Sequence, residues 1–263
     1  ERFEFITDIL GGGGIGYMVA PGVYSEPDPD EDVFIDSRTL VPDKNGHLVL
    51  KIAEPMDEMT YLDAAWLEVI DHPADTTVYP NERFDPEAAH PSGGRFVFRD
   101  RILPVAARDH RGRDVRDRLL KWDRHTVDEF QISARWIGYA EDHYIELDFA
   151  QAFAGLKEDD PIALFLAGWV EYPYSQTNWA AATAGVELVP PVLKWLDEHG
   201  NWEPLVTNMG YPAGLPRMMT LDLTGKLPHV VRGESGHEPL ACRLRIETNM
   251  EIYWDQIFAA RLE

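Results

Sequence analysis

Short segments of alternating apolar and polar residues recur along this chain, and clusters of Gly, Pro, Asn and Asp separate them about every ten residues. Residues 144–149 show this alternation clearly, while residues 162–172 form the longer apolar run that is typical of a buried strand. Amphipathic helical periodicity is rare by comparison. The pattern therefore predicts an all-β fold, either an antiparallel β-sandwich of the jelly-roll type or two packed sandwiches.

The length of the chain allows more than one domain arrangement. A chain of 263 residues buries roughly three-quarters of its unfolded surface, so it can form a large core without disulfide bonds. Residues 108–118 are polar and carry charges of both signs, as in a solvated loop. We expect a boundary near residue 125, between an N-terminal β-sandwich region (1–125) and a jelly roll (126–263). A single composite domain is the alternative.

The excess of acidic residues limits the partners that the chain can bind. It has 46 Asp and Glu against 24 Lys and Arg, which gives a formal net charge of −22. Phosphate binding depends on clustered Lys and Arg, so the composition argues against a nucleic-acid-binding protein and against binding to an anionic membrane surface. No apolar run is long enough to span a membrane. The single cysteine, Cys242, excludes an internal disulfide and predicts a buried, unreactive thiol.

A glycine-rich run near the start matches a nucleotide-binding motif but lacks its context. Residues 11–16 satisfy G-x-G-x-x-G after a strand-like segment. Only residues 17–20 separate them from Pro21, too few for the helix whose N-terminus binds the pyrophosphate. We therefore interpret the run as a turn or bulge. The nine histidines show neither the i, i+4 nor the H-x-H spacing that marks transition-metal sites.

Carboxylates at alternate positions form the best candidate for a metal site. Asp28, Asp30 and Asp32 lie in a predicted loop, and Asp36 or Glu26 could complete the set. Such carboxylates can converge on a hard cation, and Ca²⁺ takes about six to eight oxygen ligands. The sequence thus predicts a structural calcium site. A solvated acidic face is the alternative, because the loop lacks the glycine and distal glutamate of an EF-hand.

Aromatic and amide residues at the end of the long apolar strand form the candidate ligand site. Trp179 lies close in sequence to Tyr172, Tyr174 and Asn178, where the chain leaves the sheet. An exposed indole can stack on a sugar ring while nearby polar groups bind its hydroxyls. The alternative is that Trp179 plugs the end of the sandwich. Four other tryptophans lie in apolar segments and are predicted to be core residues: Trp66, Trp169, Trp195 and Trp254.

Several local motifs carry a resemblance to a bacterial protein family. They are residues 61–63, 71–74, 78–84, 210–217, 222–226 and 248–256. Together they resemble the C-terminal region that follows FG-GAP/ASPIC-UnbV-type or tetratricopeptide repeats in large proteins of environmental bacteria. The resemblance implies a module tethered to repeat domains in a longer protein, with an extracytoplasmic (periplasmic or secreted) location.

The last third also resembles a galactose-binding-like jelly roll of the discoidin type. In that fold a hairpin with a D-G-x-W sequence precedes the closing strands, and here residues 199–202, 243–246 and 252–257 occupy those places. The resemblance implies binding of carbohydrate or of a protein partner, often with a structural calcium. It identifies no ligand residues, because the binding loops of that fold vary freely.

These observations favour a noncatalytic accessory binding or assembly module of a larger extracytoplasmic protein, with a carbohydrate or a protein as its partner. No catalytic residue is assigned, because none of the 46 acidic residues forms an isolated pair in an apolar setting. The alternatives are a carboxylate-dependent carbohydrate-active hydrolase and an architectural subunit of a membrane-associated complex.

Overall fold

The computed structural model describes residues 3, 34–53, 66–81, 83–84, 94–212, 216–233 and 239–263. Their strands are β1 (Thr77–Pro80), β2 (Arg83–Phe84), β3 (Arg95–Phe98), β4 (Ala106–Asp109), β5 (Tyr139–Asp148), β6 (Ile162–Val170), β7 (Val192–Leu196), β8 (Trp202–Val206), β9 (Tyr211–Pro212), β10 (Arg217–Asp222), β11 (Arg243–Met250) and β12 (Ile252–Arg261). Helix α1 spans Ser175–Thr183, helix α2 spans His229–Arg232, and short 3₁₀ helices cover Ser37–Thr39 and Arg116–Leu119.

Two antiparallel sheets pack face to face, which confirms the predicted all-β sandwich. One sheet has five strands in the order β4-β5-β11-β7-β8, and the other has three in the order β10-β6-β12. Alternating side chains on the inner faces fill the space between them. The five-stranded sheet contributes Leu147, Leu193 and Ile246, and the three-stranded sheet contributes Leu166 and Ile257. Sequence alternation in β5 and β11 thus follows the burial of one face.

The outer face of the three-stranded sheet is covered as well. Phe165 and Phe258 stack there with ring centroids 4.9 Å apart, and Phe98 lies 4.8 Å from Phe165. Phe98 belongs to the two-stranded β1–β3 sheet, whose Tyr79 joins the same cluster. Strand β6 is therefore buried on both faces, which is why its sequence is a continuous apolar run rather than an alternation.

Contacts across the predicted boundary at residue 125 favour the composite-domain alternative. Strand β4 pairs with β5, with Ala107 opposite Leu147. Val115 and Leu119 belong to the same hydrophobic core as Leu147. Described residues on the two sides of position 125 therefore share one sheet and one core.

An irregularity in β12 lets two closely spaced residues face the same core. The register with β6 shifts between Trp254 and Gln256. Trp254 and Ile257 both face the main core, although strict alternation would place them on opposite faces. Gly168 on β6 permits this packing, because a Cβ at that position would lie 3.0 Å from the Trp254 ring and 2.7 Å from the Tyr253 carbonyl oxygen.

Several predictions for local segments are wrong. Trp66, predicted to be a core residue, is 82% exposed, and the apolar segment 66–70 that contains it has no assigned secondary structure. No strand among the described residues pairs with this segment, so no described strand buries its apolar side chains. Trp169 and Trp195 are half-buried rather than core residues, whereas Trp254 is buried as predicted. Strand β4 ends at Asp109 and so includes the first two residues of the stretch 108–118 that was predicted to be a solvated loop.

Candidate ligand-binding site

Helix α1 holds the predicted ligand residues at one end of the sandwich. It follows the end of β6 directly, and Ala181 anchors it because that side chain is fully buried. The Tyr139 hydroxyl, at the start of β5, donates a 2.8 Å hydrogen bond to Oδ1 of Asn178. Asn178 therefore ties the helix to the five-stranded sheet, and its amide oxygen is already used in the fold.

Trp179 projects into solvent from this anchored helix. Its side chain is 74% exposed, and Tyr174, one residue before the helix, is 39% exposed. The interpretation of Trp179 as a plug for the end of the sandwich is therefore wrong. Such an indole offers an aromatic face on a rigid support, which is the arrangement needed for stacking on a sugar ring.

The Tyr172 side chain is half-buried and packs against β9 instead of projecting into solvent. Its hydroxyl donates a 3.3 Å hydrogen bond to the Pro212 carbonyl oxygen, and its ring meets Tyr211 edge-on at 5.9 Å. Burial raises the pKa of Tyr211 to about 12, so that hydroxyl stays neutral. Tyr172 thus attaches the end of β6 to β9.

Trp136 is an aromatic neighbour that the sequence reasoning missed. Its ring centroid lies 6.3 Å from that of Tyr139, and the Arg135 guanidinium lies 5.0 Å from the Trp136 ring. Trp136 stands far from Trp179 in sequence, so local spacing gave no signal for this proximity. The Tyr139–Asn178 hydrogen bond joins the two segments.

Gly138 holds the Trp136 loop against the connection that leads to α1. Its φ is +80°, and a Cβ there would lie 2.4 Å from the Pro173 nitrogen. Its carbonyl oxygen accepts a 3.0 Å hydrogen bond from the Glu251 amide. Only glycine fits this close backbone approach with a left-handed conformation.

The structure also brings together a pair of carboxylates. Glu171 follows β6, Glu251 separates β11 from β12, and the Glu171 amide donates a 3.0 Å hydrogen bond to the Glu251 carbonyl oxygen. Burial, and then the negative charge of Glu251, raise the pKa of the Glu171 carboxyl. The Tyr253 hydroxyl donates a 2.5 Å hydrogen bond to Oε1 of Glu251.

Aromatic rings flank this pair on the outer face of the three-stranded sheet. Trp169 and Tyr253 are stacked with centroids 4.2 Å apart and an interplanar angle of 9°. Phe130 lies 5.1 Å from Tyr253. Alternation along β6 and β12 places Glu171 and Glu251 on the same face as these rings. Sequence spacing could not indicate this patch, because it is formed by cross-strand pairing.

The predicted calcium ligands lie mostly outside the described residues. Asp28, Asp30 and Asp32 are among those that the structure does not describe, as is the glycine run at 11–16. The Asp36 carboxylate caps the 3₁₀ helix at Ser37–Thr39 and accepts hydrogen bonds from the Arg38 backbone and side chain, which lower the pKa of Asp36. Within the described ranges, no three His, Cys, Asp or Glu side chains are grouped so that they could hold a metal ion.

The remaining sequence features have structural roles. Residues 197–201 form the turn of the β7–β8 hairpin, and Trp202 at the start of β8 stacks on the Arg245 guanidinium at 4.0 Å. Cys242 is buried as predicted, and burial raises the pKa of its thiol to about 12.

Comparison with known proteins adds no relative. No protein-family model, curated protein or solved structure matches this chain. In the part of the chain that the structure describes, no helix is long and apolar enough to cross a membrane.

Proposed function

We propose that this chain is a noncatalytic carbohydrate-binding module of a larger extracytoplasmic protein, with Trp179 as the residue that stacks on the sugar. The observation that carries the proposal is the 74% exposure of this indole on a helix that is anchored by the buried Ala181 and by the hydrogen bond from Tyr139 of the five-stranded sheet. Exposing a tryptophan on a rigid element forfeits the stabilisation of burying it, which favours a role in recognition.

The charge of the chain narrows the class of glycan. A net charge of −22 repels polyanions, and Glu171 and Glu251 add negative charge at the end of the sandwich that carries α1. The ligand that fits best is therefore a neutral polysaccharide rather than a polyuronate or a sulfated glycan.

The strand connections support a jelly roll of the galactose-binding-like type. The chain crosses between the two sheets from β5 to β6, from β6 to β7, from β8 to β10, from β10 to β11 and from β11 to β12. Among the described strands of these two sheets, only β4–β5 and β7–β8 are consecutive in the chain and adjacent within one sheet. Repeated crossing is typical of jelly rolls, whose end loops vary freely and carry the binding sites.

Affinity electrophoresis tests the proposal on the whole chain. Gels containing agarose, cellulose derivatives, xylan or glycol chitin are compared with empty gels, and retarded migration reports binding. Trp179→Ala should weaken retention by about tenfold or more, since losing a central aromatic contact costs at least about 1.4 kcal/mol. Trp66→Ala, which removes an 82% exposed tryptophan elsewhere, is the matched control and should migrate like the wild type.

Two results would contradict the proposal. One is wild-type migration that none of the neutral polysaccharides retards. The other is equal retention of the Trp179→Ala and Trp66→Ala variants, which would show that the exposed indole on α1 contributes nothing.

The carboxylate pair supports a second candidate, a glycoside hydrolase. Directly opposed residues on neighbouring strands place their Cβ atoms about 4.5–5.5 Å apart, a spacing compatible with an acid and a nucleophile. Glu171, whose pKa is raised, would be the general acid, and Glu251, which accepts a hydrogen bond from the Tyr253 hydroxyl, would be the nucleophile.

Measurement of reducing-sugar release tests this candidate. If the wild type hydrolyses any of the same polysaccharides, Glu171→Gln should lower the rate by about a hundredfold or more, because the general acid is lost. Glu198→Gln, a change of a 63% exposed side chain in the β7–β8 turn, should leave the rate unchanged. Absence of turnover by the wild type would eliminate the hydrolase.

A further inference from the structure

One segment closes the side of the sandwich between the two sheets, and we call residues 127–133 the strap. Its first residue, Val127, donates an amide hydrogen bond of 2.8 Å to the Trp254 carbonyl oxygen on β12 of the three-stranded sheet. Further along, Gln131 accepts a 2.8 Å hydrogen bond from the Glu141 amide on β5 of the five-stranded sheet. The strap therefore spans the open edge between β12 and β5.

A buried histidine lies beneath the strap. Phe130 stacks on the His143 ring, with centroids 4.4 Å apart and an interplanar angle of 19°. His143 is only 6% exposed, and its Nδ1 lies 2.8 Å from the Glu141 carbonyl oxygen. That contact requires a proton on Nδ1, so the neutral ring carries its lone pair on Nε2. Nε2 is buried and has no hydrogen-bond partner.

The charges around this ring are largely neutralised by other partners. The titratable groups that face it are Asp109 and His110 at the end of β4, Glu129 on the strap, Tyr253 on β12, and Glu141, Asp142 and Tyr144 on its own strand. Arg113 pairs with Asp109 at 2.7 Å, Arg118 pairs with Glu129 at 2.8 Å, and Arg111 pairs with Glu141. The neighbour on β11, Thr248, carries no charge.

These neighbours leave a protonated His143 poorly accommodated. Asp109, Glu129 and Glu141 already bind arginines. The electrostatic effect of His110, 6.1 Å away between ring centroids, disfavours a positive charge on His143. A proton on Nε2 would be a buried donor without an acceptor, beneath an apolar ring. Opening the strap would give that proton access to water.

We propose that the strap is an acid-sensitive latch, which opens when His143 takes up a proton and so alters the loop that carries Trp136. The link to the loop is Ser133 at the end of the strap, whose Oγ accepts a 3.1 Å hydrogen bond from the Trp136 amide. The effect on ligand binding rests on the proposed function, since Trp136 lies beside the Tyr139–Asn178 contact that positions α1. Opening of the strap itself does not depend on it.

The direction of the pH dependence follows from burial. Burial lowers the pKa of His143 below the ordinary 6.5, whereas an opened strap would return it towards that value. The open state therefore binds more protons in the interval between the two values. The closed strap is fully stabilised above 6.5, and the equilibrium constant for opening rises about tenfold for each pH unit below it until the lowered pKa is reached.

Hydrogen–deuterium exchange on the whole chain measures this opening directly. Protection factors, corrected for the intrinsic pH dependence of exchange, are compared at about pH 7.5 and about pH 5 for peptides covering the strap. The wild type should lose about tenfold or more in protection there. His143→Phe, which keeps an aromatic ring against Phe130 without a titratable nitrogen, should retain its protection. His125→Gln, which replaces an 82% exposed histidine nearby, should behave like the wild type.

The outcomes separate the latch from the binding site. Unchanged protection in the wild type, or equal loss in wild type and His143→Phe, would overturn the latch. If His143→Phe does not fold, His143→Gln takes its place in the same comparison. Polysaccharide retention that is identical at both pH values while the strap opens would overturn its coupling to the site. If neither pH gives retention, the proposed function fails, and the exchange data still decide the latch.

Discussion

Replacing Trp254 with alanine is expected to lower the free energy of unfolding by about 3–5 kcal/mol. The indole is 2% exposed and faces the main core where the bulge in β12 turns it inward. The backbone of Gly168 packs closely against the indole ring. The surrounding backbone therefore cannot easily close over the cavity that the indole leaves. The loss is a large part of the roughly 5–15 kcal/mol that stabilises a typical domain.

Equilibrium unfolding in urea measures this change. The midpoint should shift to lower urea with an unchanged slope, because the variant folds to the same structure with a cavity. Trp66→Ala provides the comparison, since removing an 82% exposed indole should change stability by no more than about 0.5 kcal/mol. A shift for Trp254→Ala as small as that of Trp66→Ala would mean that the bulge does not place this ring in the core.

Much of the sandwich could be predicted because its strands carry their own signal. Residues 144–149 alternate, and the structure buries Ile145, Leu147 and Phe149 while the intervening side chains stay half-buried. The apolar run at 162–172 correctly predicted the buried strand β6. The run is continuous because both faces of β6 are covered. In such segments one local pattern determines both the strand and the face that it buries.

Residues 66–70 show where local pattern fails. Their composition suits a buried strand, yet the segment is exposed and Val69 is 79% accessible. A strand needs a partner with matching register, and apolar content does not report whether one is present. Strand β4 is the converse case: a short strand ending in Arg108 and Asp109 pairs with β5, although its polar sequence favoured a loop.

The candidate site likewise contains some residues that local sequence patterns identify and others that they do not. Tyr174 and Trp179 were found because they lie close together in sequence and flank the start of one helix. Trp136 and Glu251 reach the same end of the molecule only through long-range pairing, at the Tyr139–Asn178 contact and at the backbone bond between Glu171 and Glu251. Sequence spacing carries no information on such contacts until the strand order is known.

Gly138→Ala is expected to destabilise the fold by about 2–6 kcal/mol, the combined cost of a strained backbone and of an overpacked contact. Alanine at φ +80° is strained, and its Cβ would lie 2.4 Å from the Pro173 nitrogen and 2.7 Å from the Glu171 carbonyl oxygen. Both of those atoms are backbone, so no side chain can rotate away. Any relief must move the segment that joins β6 to α1, and Trp179 with it.

Gly112→Ala separates these two costs. Gly112 has a similar φ of +76° but nothing within 4 Å of a Cβ, so its variant reports the backbone strain alone, about 1–3 kcal/mol. The free energies of unfolding of the two variants, measured in urea, should therefore differ by the cost of the clash. The fluorescence of the exposed Trp179 should change only in Gly138→Ala. Equal destabilisation of the two variants would show that the Trp136 loop and the β6–α1 connection are not in close contact, and that the two halves of the candidate site move independently.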